Sequence, residues 1–148
     1  MSIAEPQFEE LFREVILDHY RRPRNAGELA APTHQAEGVN PVCGDEVTLH
    51  LEVVDDEVTD VAFSGQGCSI SQSSTSMMTA QIRGMKIDQV NELIGHFEAQ
   101  LMHGGDPHPA LGDLESLQGV AKFPVRIKCA LLGWKVLREG LGLQENDT

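Results

Sequence analysis

Apolar residues recur at helical spacing between Gln7 and Tyr20, at Phe8, Leu11, Phe12, Val15, Ile16 and Tyr20, and the run closes on Arg21, Arg22 and Pro23. This predicts an amphipathic helix. Glu5, Glu9 and Glu10 stand at its start and arginines at its end, an order that complements the helix dipole. The Arg21, Arg22, Arg24 cluster therefore reads as structural, with a partner-facing basic spot as the other reading. A short strand is expected from Thr33 to Gly38, followed by the turn signal Asn40-Pro41. The period then changes: Val47, Leu49, Leu51 and Val53 alternate with Thr48, His50 and Glu52, as in a half-buried strand. Asp55, Asp56 and Glu57 form a solvated turn, and Val58, Val61 and Phe63 supply the returning strand of a hairpin.

Gly65-Gln66-Gly67 ends that strand, and Cys68 opens a helix reaching about Gly84, with Ile70, Met77, Met78 and Ile82 as its apolar members. Its first half is rich in Ser and Thr, which lets a helix lie close to a sheet. Nucleophilic chemistry is disfavoured there, since no His stands nearby in sequence to activate a serine. A further helix runs from about Asp88 to His103, a loop from His103 to Pro109, and a helical turn from about Asp113 to Gln118. Pro124 sits near the first turn of a last helix, where its missing N–H costs least, and Ile127, Leu131, Trp134 and Leu137 form its apolar stripe.

The length of 148 residues suits one domain over 1–148, and a 41% hydrophobic content is too high for a disordered chain. Lys plus Arg number 11 against 23 Asp plus Glu, a formal charge of −12. Such a surface repels nucleic acid and anionic lipid, so neither is an expected partner. The N-terminus carries acids where a signal peptide needs basic and then apolar residues, and no stretch is long and apolar enough to span a membrane. The cytoplasm is the expected location. Three cysteines, Cys43, Cys68 and Cys129, cannot all pair with one another and none lies in a CxxC, which points to a reducing compartment.

Each cysteine falls at a chain reversal or a helix start. Cys43 lies in the turn Asn40-Pro41-Val42-Cys43-Gly44-Asp45, where Gly44 admits an unusual backbone angle and Cys43-x-Asp45 can turn thiol and carboxylate to one side. Cys68 stands at a helix N-terminus, which favours a thiolate, and Cys129 is flanked by Arg126 and Lys128, whose charges are expected to do the same. Three thiolates and one carboxylate suit tetrahedral Zn²⁺ as an S₃O set, and the two cations would offset its excess negative charge. Three unconnected buried thiols are the competing reading, because the spacings match no short zinc-finger pattern.

Asp18-His19-Tyr20 with Pro23-Arg24-Asn25, then Asn40-Pro41-Val42-Cys43-Gly44-Asp45, Gly65-Gln66-Gly67-Cys68-Ser69-Ile70-Ser71 and Phe123-Pro124-Val125-Arg126-Ile127-Lys128-Cys129-Ala130 resemble the motifs of the IscU/NifU-like family of iron–sulfur assembly proteins. The resemblance spans about residues 8 to 138. Within the family the chain is most similar to the SufU branch. Lys128 stands where the scaffold branch has a His, and the stretch from about 104 to 118 resembles the SufU insertion. The resemblance implies an α+β fold, IscU/SufE-like, with a three-stranded antiparallel sheet and helices packed mainly on one face. It implies Zn²⁺ on Cys43, Asp45, Cys68 and Cys129, with Cys43 the persulfide acceptor, Asp45 acting beside it, and Arg126 and Lys128 in support. The implied partners are a PLP-dependent cysteine desulfurase of the SufS type and the downstream iron–sulfur assembly machinery. The implied function is that of a zinc-dependent sulfurtransferase. The alternatives are a scaffold that assembles a transient [2Fe–2S] cluster and passes it to apo-proteins, and a purely structural zinc domain. The six histidines show no ligand spacing: His19 falls at a helix end and His50 on a strand's polar face, while His103 and His108 flank a loop and are expected at the surface, transient metal capping being their other reading; Met77 and Met78 are expected in the core.

Overall fold

The computed structural model describes residues 4–104 and 106–143, with side chains from residue 10 onward. The expectations placed on Phe8, Glu5 and Glu9 therefore lie outside the described side chains, as does Gly105 within the expected loop. In chain order the elements are α1 (Ala4–Arg21), β1 (His34–Asn40), β2 (Asp45–Val54), β3 (Glu57–Gln66), α2 (Ser69–Ile82), α3 (Ile87–His103), a 3₁₀ segment (Pro109–Lys122) and α4 (Pro124–Leu141).

The strands form one antiparallel sheet in the order β1-β2-β3, and the α+β arrangement expected from the resemblance is the one observed. The alternation read in β2 sets its orientation: Val47, Leu49 and Leu51 are buried against the helices, while Thr48, His50 and Glu52 take the half-buried face. Asp55 and Asp56 both have positive φ, +51° and +65°, the backbone of the two-residue hairpin turn whose twist matches that of its strands. β1 continues two residues beyond the expected Gly38, because Val39 pairs with Glu46 and Asn40 with Asp45 up to the next turn.

α4 lies across β1 and β2, close enough that a Cβ added to Gly38 would stand 2.8 Å from Val136 Cγ2. Its other side meets α2. The hydroxyl-rich face of α2 was expected to lie on the sheet; it lies chiefly against α4 and α1. Ser74 donates to the Ala130 carbonyl at 2.7 Å, Trp134 Nε1 donates to Ser74 Oγ at 3.0 Å, and Gly133 leaves room only for the Thr75 side chain. Small side chains permit this approach, and buried hydroxyls persist there because each finds a partner. Trp134 also stacks on Phe97, with centroids 4.5 Å apart. Truncating Trp134 to Ala should therefore cost about 3–5 kcal/mol. Thermal unfolding should show the midpoint falling by about 10 °C, and an unchanged midpoint would show that this contact is not central.

The expected short turn at Asp113–Gln118 is a longer 3₁₀ segment. Its buried Leu111, Leu114, Leu117 and Val120 recur every third residue, the 3₁₀ period, and the backbone breaks just after the first of them, at Gly112, where φ is +54°.

Residues 18–27 fasten α1 to this core. Arg24 reaches Asp18 at 2.6 Å and Arg22 reaches the same carboxylate at 3.2 Å. The hydrogen bond from Arg24 is the main reason the Asp18 carboxyl is held below its ordinary value. The Asn25 carboxamide donates to Thr79 Oγ1, its carbonyl accepts from Phe63 N–H, and Gly27 N–H donates to the Phe63 carbonyl. His19, at the end of α1 as expected, is buried there. It is 3% exposed, with Nδ1 2.8 Å from Ser76 Oγ and Nε2 3.2 Å from Asp113 Oδ2. The Asp113 carboxylate can only accept, so Nε2–H donates to it, while Nδ1 pairs with the Ser76 hydroxyl that also accepts the Arg24 N–H. One imidazole thus ties α1 to both α2 and the 3₁₀ segment.

Candidate metal centre

The four-residue link between β1 and β2 places Cys43 at a reversal, with Cys43 N–H donating to the Asn40 carbonyl at 3.3 Å and Gly44 at φ +68°. Asp45 then enters β2 directly opposite Asn40 and is completely buried. Cys129, in the second turn of α4, is completely buried too, and it donates to Cys43 Sγ across 3.1 Å. One ligand atom from each of Cys43, Asp45 and Cys129 lies within 4.8 Å of the other two. These are the only described residues to form a metal-competent group of three or more His, Cys, Asp or Glu.

Cys68 joins this centre differently. It caps α2, its Sγ accepting the Ser71 N–H at 3.4 Å, while its own N–H donates to Asp45 Oδ1 at 2.9 Å. The sequence therefore brings three of the four expected ligands into one cluster. The fourth stands beside it, its backbone holding the carboxylate of the first turn. Gly65 and Gly67 make that approach possible. A Cβ on Gly65 would run into the Glu46 carbonyl, and one on Gly67 would overlap Asp45 Oδ1 and lie 2.7 Å from Ser71 Oγ.

The expectation that flanking cations would ionise Cys129 does not hold. Burial first, then its hydrogen bonds with Cys43 and Asp45 and the charge of Cys68, push the Cys129 thiol well above its ordinary range. Two neighbouring cations cannot offset the loss of water and the crowd of acidic groups. They also differ from each other. Arg126 faces the centre, and Cys68 is the chief influence that holds its proton more firmly. Lys128 is exposed and makes no ion pair with any described residue.

Asn40 was legible only as half of a turn signal, yet it is a positioning residue here. It is 8% exposed, and its carboxamide donates to Asp45 Oδ2 at 3.5 Å and to Cys129 Sγ at 3.8 Å. The available clue was its place across the turn from Asp45, which puts the two side chains on one side of the hairpin. Val42, next to Cys43 in its turn, and Phe123 and Val125, at the start of the helix that carries Cys129, are all more than half exposed. They form an apolar rim on this side of the half-buried Cys43.

The donor chemistry fits a zinc ion: two sulfurs and a carboxylate oxygen, donor types that zinc takes in tetrahedral sites, lie within 4.8 Å of one another. No described helix is long and apolar enough to cross a membrane.

Comparison with known proteins agrees with this geometry. The family described as NifU-like N terminal domain matches residues 11–142. A Bacillus subtilis protein named zinc-dependent sulfurtransferase SufU is 45% identical over 137 residues, which cover 91% of this chain and 92% of the relative. A Streptococcus pyogenes protein named iron–sulfur cluster assembly scaffold protein IscU is 38% identical over 92% of this chain and 86% of its own. A crystal structure from Fervidobacterium islandicum, described as a putative iron–sulfur cluster assembly scaffold protein for the SUF system, superposes with a TM-score of 0.82 at 35% identity, covering 86% of this chain and 94% of that one.

Proposed function

The chain belongs to the NifU-like N-terminal domain family, and from that premise we propose that it serves iron–sulfur cluster assembly as a zinc-dependent sulfurtransferase in the cytoplasm, one domain in which residues 104–118 are an insertion. Its sulfur donor is a PLP-dependent cysteine desulfurase of the SufS type, and its product passes to the downstream assembly machinery. The observation that carries this reading is the convergence of Cys43, Asp45 and Cys129, with Cys68 close enough to hold Asp45 through its N–H.

Cys43, Asp45, Cys68 and Cys129 hold the zinc, which supplies charge that keeps thiolates deprotonated. Cys43 is the acceptor because it is the ligand at an exposed turn, beside an apolar rim that a partner can cover. The Cys43 thiolate attacks the outer sulfur of the desulfurase persulfide. A new S–S bond forms on Cys43 and the desulfurase cysteine leaves as a thiolate. Arg126 balances negative charge beside Cys68, and Asn40 holds Asp45 and Cys129 in register.

Elemental analysis of aerobically purified protein, joined to a desulfurase activation assay, tests the proposal. About one zinc per chain and a stimulated desulfurase are expected. A brown protein with stoichiometric iron and sulfide would favour a [2Fe–2S] scaffold instead.

Metal affinity should also rise with pH. The raised Cys129 thiol keeps its proton through the neutral range, so metal must displace it, and each unit of pH removed costs about tenfold in affinity per proton displaced. Competition with a chromophoric chelator between pH 6 and 8 (about the range in which imidazoles and thiols begin to titrate) measures this. A flat profile would remove Cys129 from the ligand set.

A further inference from the structure

A groove of about 1660 Å³ runs between α1, the C-terminal end of α3 and the 3₁₀ segment, and reaches the start of α4 beside the metal centre. It exceeds the several hundred Å³ to about 1,000 Å³ of a small-molecule pocket. Phe12 and Ile16 give it an apolar wall. Its charge is unlike the rest of the molecule. Arg13, Lys122 and Arg126 line it, three of only 11 Lys and Arg, while no described Asp or Glu does. None of these three cations forms an ion pair with a described residue. Its wall also holds an unsatisfied acceptor. Gln100 is 3% exposed and donates through Nε2 to the Leu114 carbonyl, but its Oε1 has no donor among the described residues.

We propose that this groove docks an acidic, amphipathic segment of a partner protein. Its apolar residues would lie against Phe12 and Ile16 of α1, and its carboxylates against Arg13 and Lys122. Arg126 belongs both to the end of the groove and to the surroundings of Cys68, so a docked segment leads its protein to the metal centre. The inference concerns recognition and stands apart from the sulfur chemistry proposed above.

The test uses the full zinc-loaded chain and two short fluorescein-labelled helical peptides with the same leucine positions, one bearing Glu and the other Lys at its polar positions. A surface of charge −12 should by itself attract the Lys peptide. Fluorescence anisotropy is expected to show the reverse, with the Glu peptide bound at least about tenfold more tightly and weakened by salt. The double variant Arg13→Glu, Lys122→Glu should lose that preference while keeping its zinc content and thermal midpoint. Arg13→Gln, Lys122→Gln serves should the reversal not fold. Equal affinity for the two peptides, or a preference that survives the variants, overturns the proposal. Sedimentation showing that the groove is filled by a second copy, with self-association abolished by the same variants, overturns it as well.

Discussion

Replacing Cys43 by Ala is expected to return the partner desulfurase to its unstimulated rate and to abolish any persulfide adduct on this protein by mass spectrometry. The three thiols are not equivalent, and this is why one substitution should suffice. Cys129 is completely buried beneath Cys43. Cys68 accepts the Ser71 N–H and caps a helix. Cys43 and Cys68 are both half-buried, but Cys43 lies in a turn, next to Val42, which is 71% exposed, whereas the Cys68 sulfur is engaged at a helix end. An attacking thiolate must reach the sulfur it attacks, and the turn favours Cys43 for this. The side chain is not part of the hydrophobic core, so the metal-free fold should keep its stability; unfolding compared without metal and activity can then be read separately. Undiminished stimulation by the variant would refute the carrier role.

Gly67→Ala should have the next largest effect, although it alters neither a ligand nor the core. A Cβ there would overlap Asp45 Oδ1 and crowd Ser71 Oγ, and Gly67 sits at φ +156°. To make room, the carboxylate must leave the Cys68 N–H. Loss of such a supporting bond commonly weakens a metal site by about 10–100-fold. Chelator competition should show that loss while far-UV circular dichroism remains that of the parent. An unchanged affinity would mean that Asp45 is free to move without consequence.

Most of the fold is visible in one dimension. The 2-residue period of β2, the helical stripes of α1, α3 and α4, and the turn residues before each strand follow from burial of one face of a regular element, which leaves its period in the sequence. Of the 3₁₀ segment only a helical turn from about Asp113 to Gln118 is expected from the sequence, and the three-residue period of Leu111, Leu114, Leu117 and Val120 is recognised once their burial is seen. The hydroxyl-rich α2 was less legible. Ser and Thr carry no signature of what they face, and only assembly shows them against Gly133, Trp134 and His19.

The candidate ligands were legible as residue types at chain reversals, and their joint identity came from the order of the motifs. Their chemistry was not legible. Arg126 and Lys128 look alike beside Cys129, yet helix geometry turns the first toward the centre and leaves the second in solvent. The protonation of Cys129 likewise depends on burial and on groups 84 and 86 positions away, Asp45 and Cys43. Local sequence by itself determined the elements, the turns and which side chains could bind a metal, because those follow from backbone preference and periodic burial. Tertiary structure alone decided which of them meet, which thiol is buried and which cation is heard, because desolvation and Coulomb forces act through distance in space, and the chain records only distance along itself.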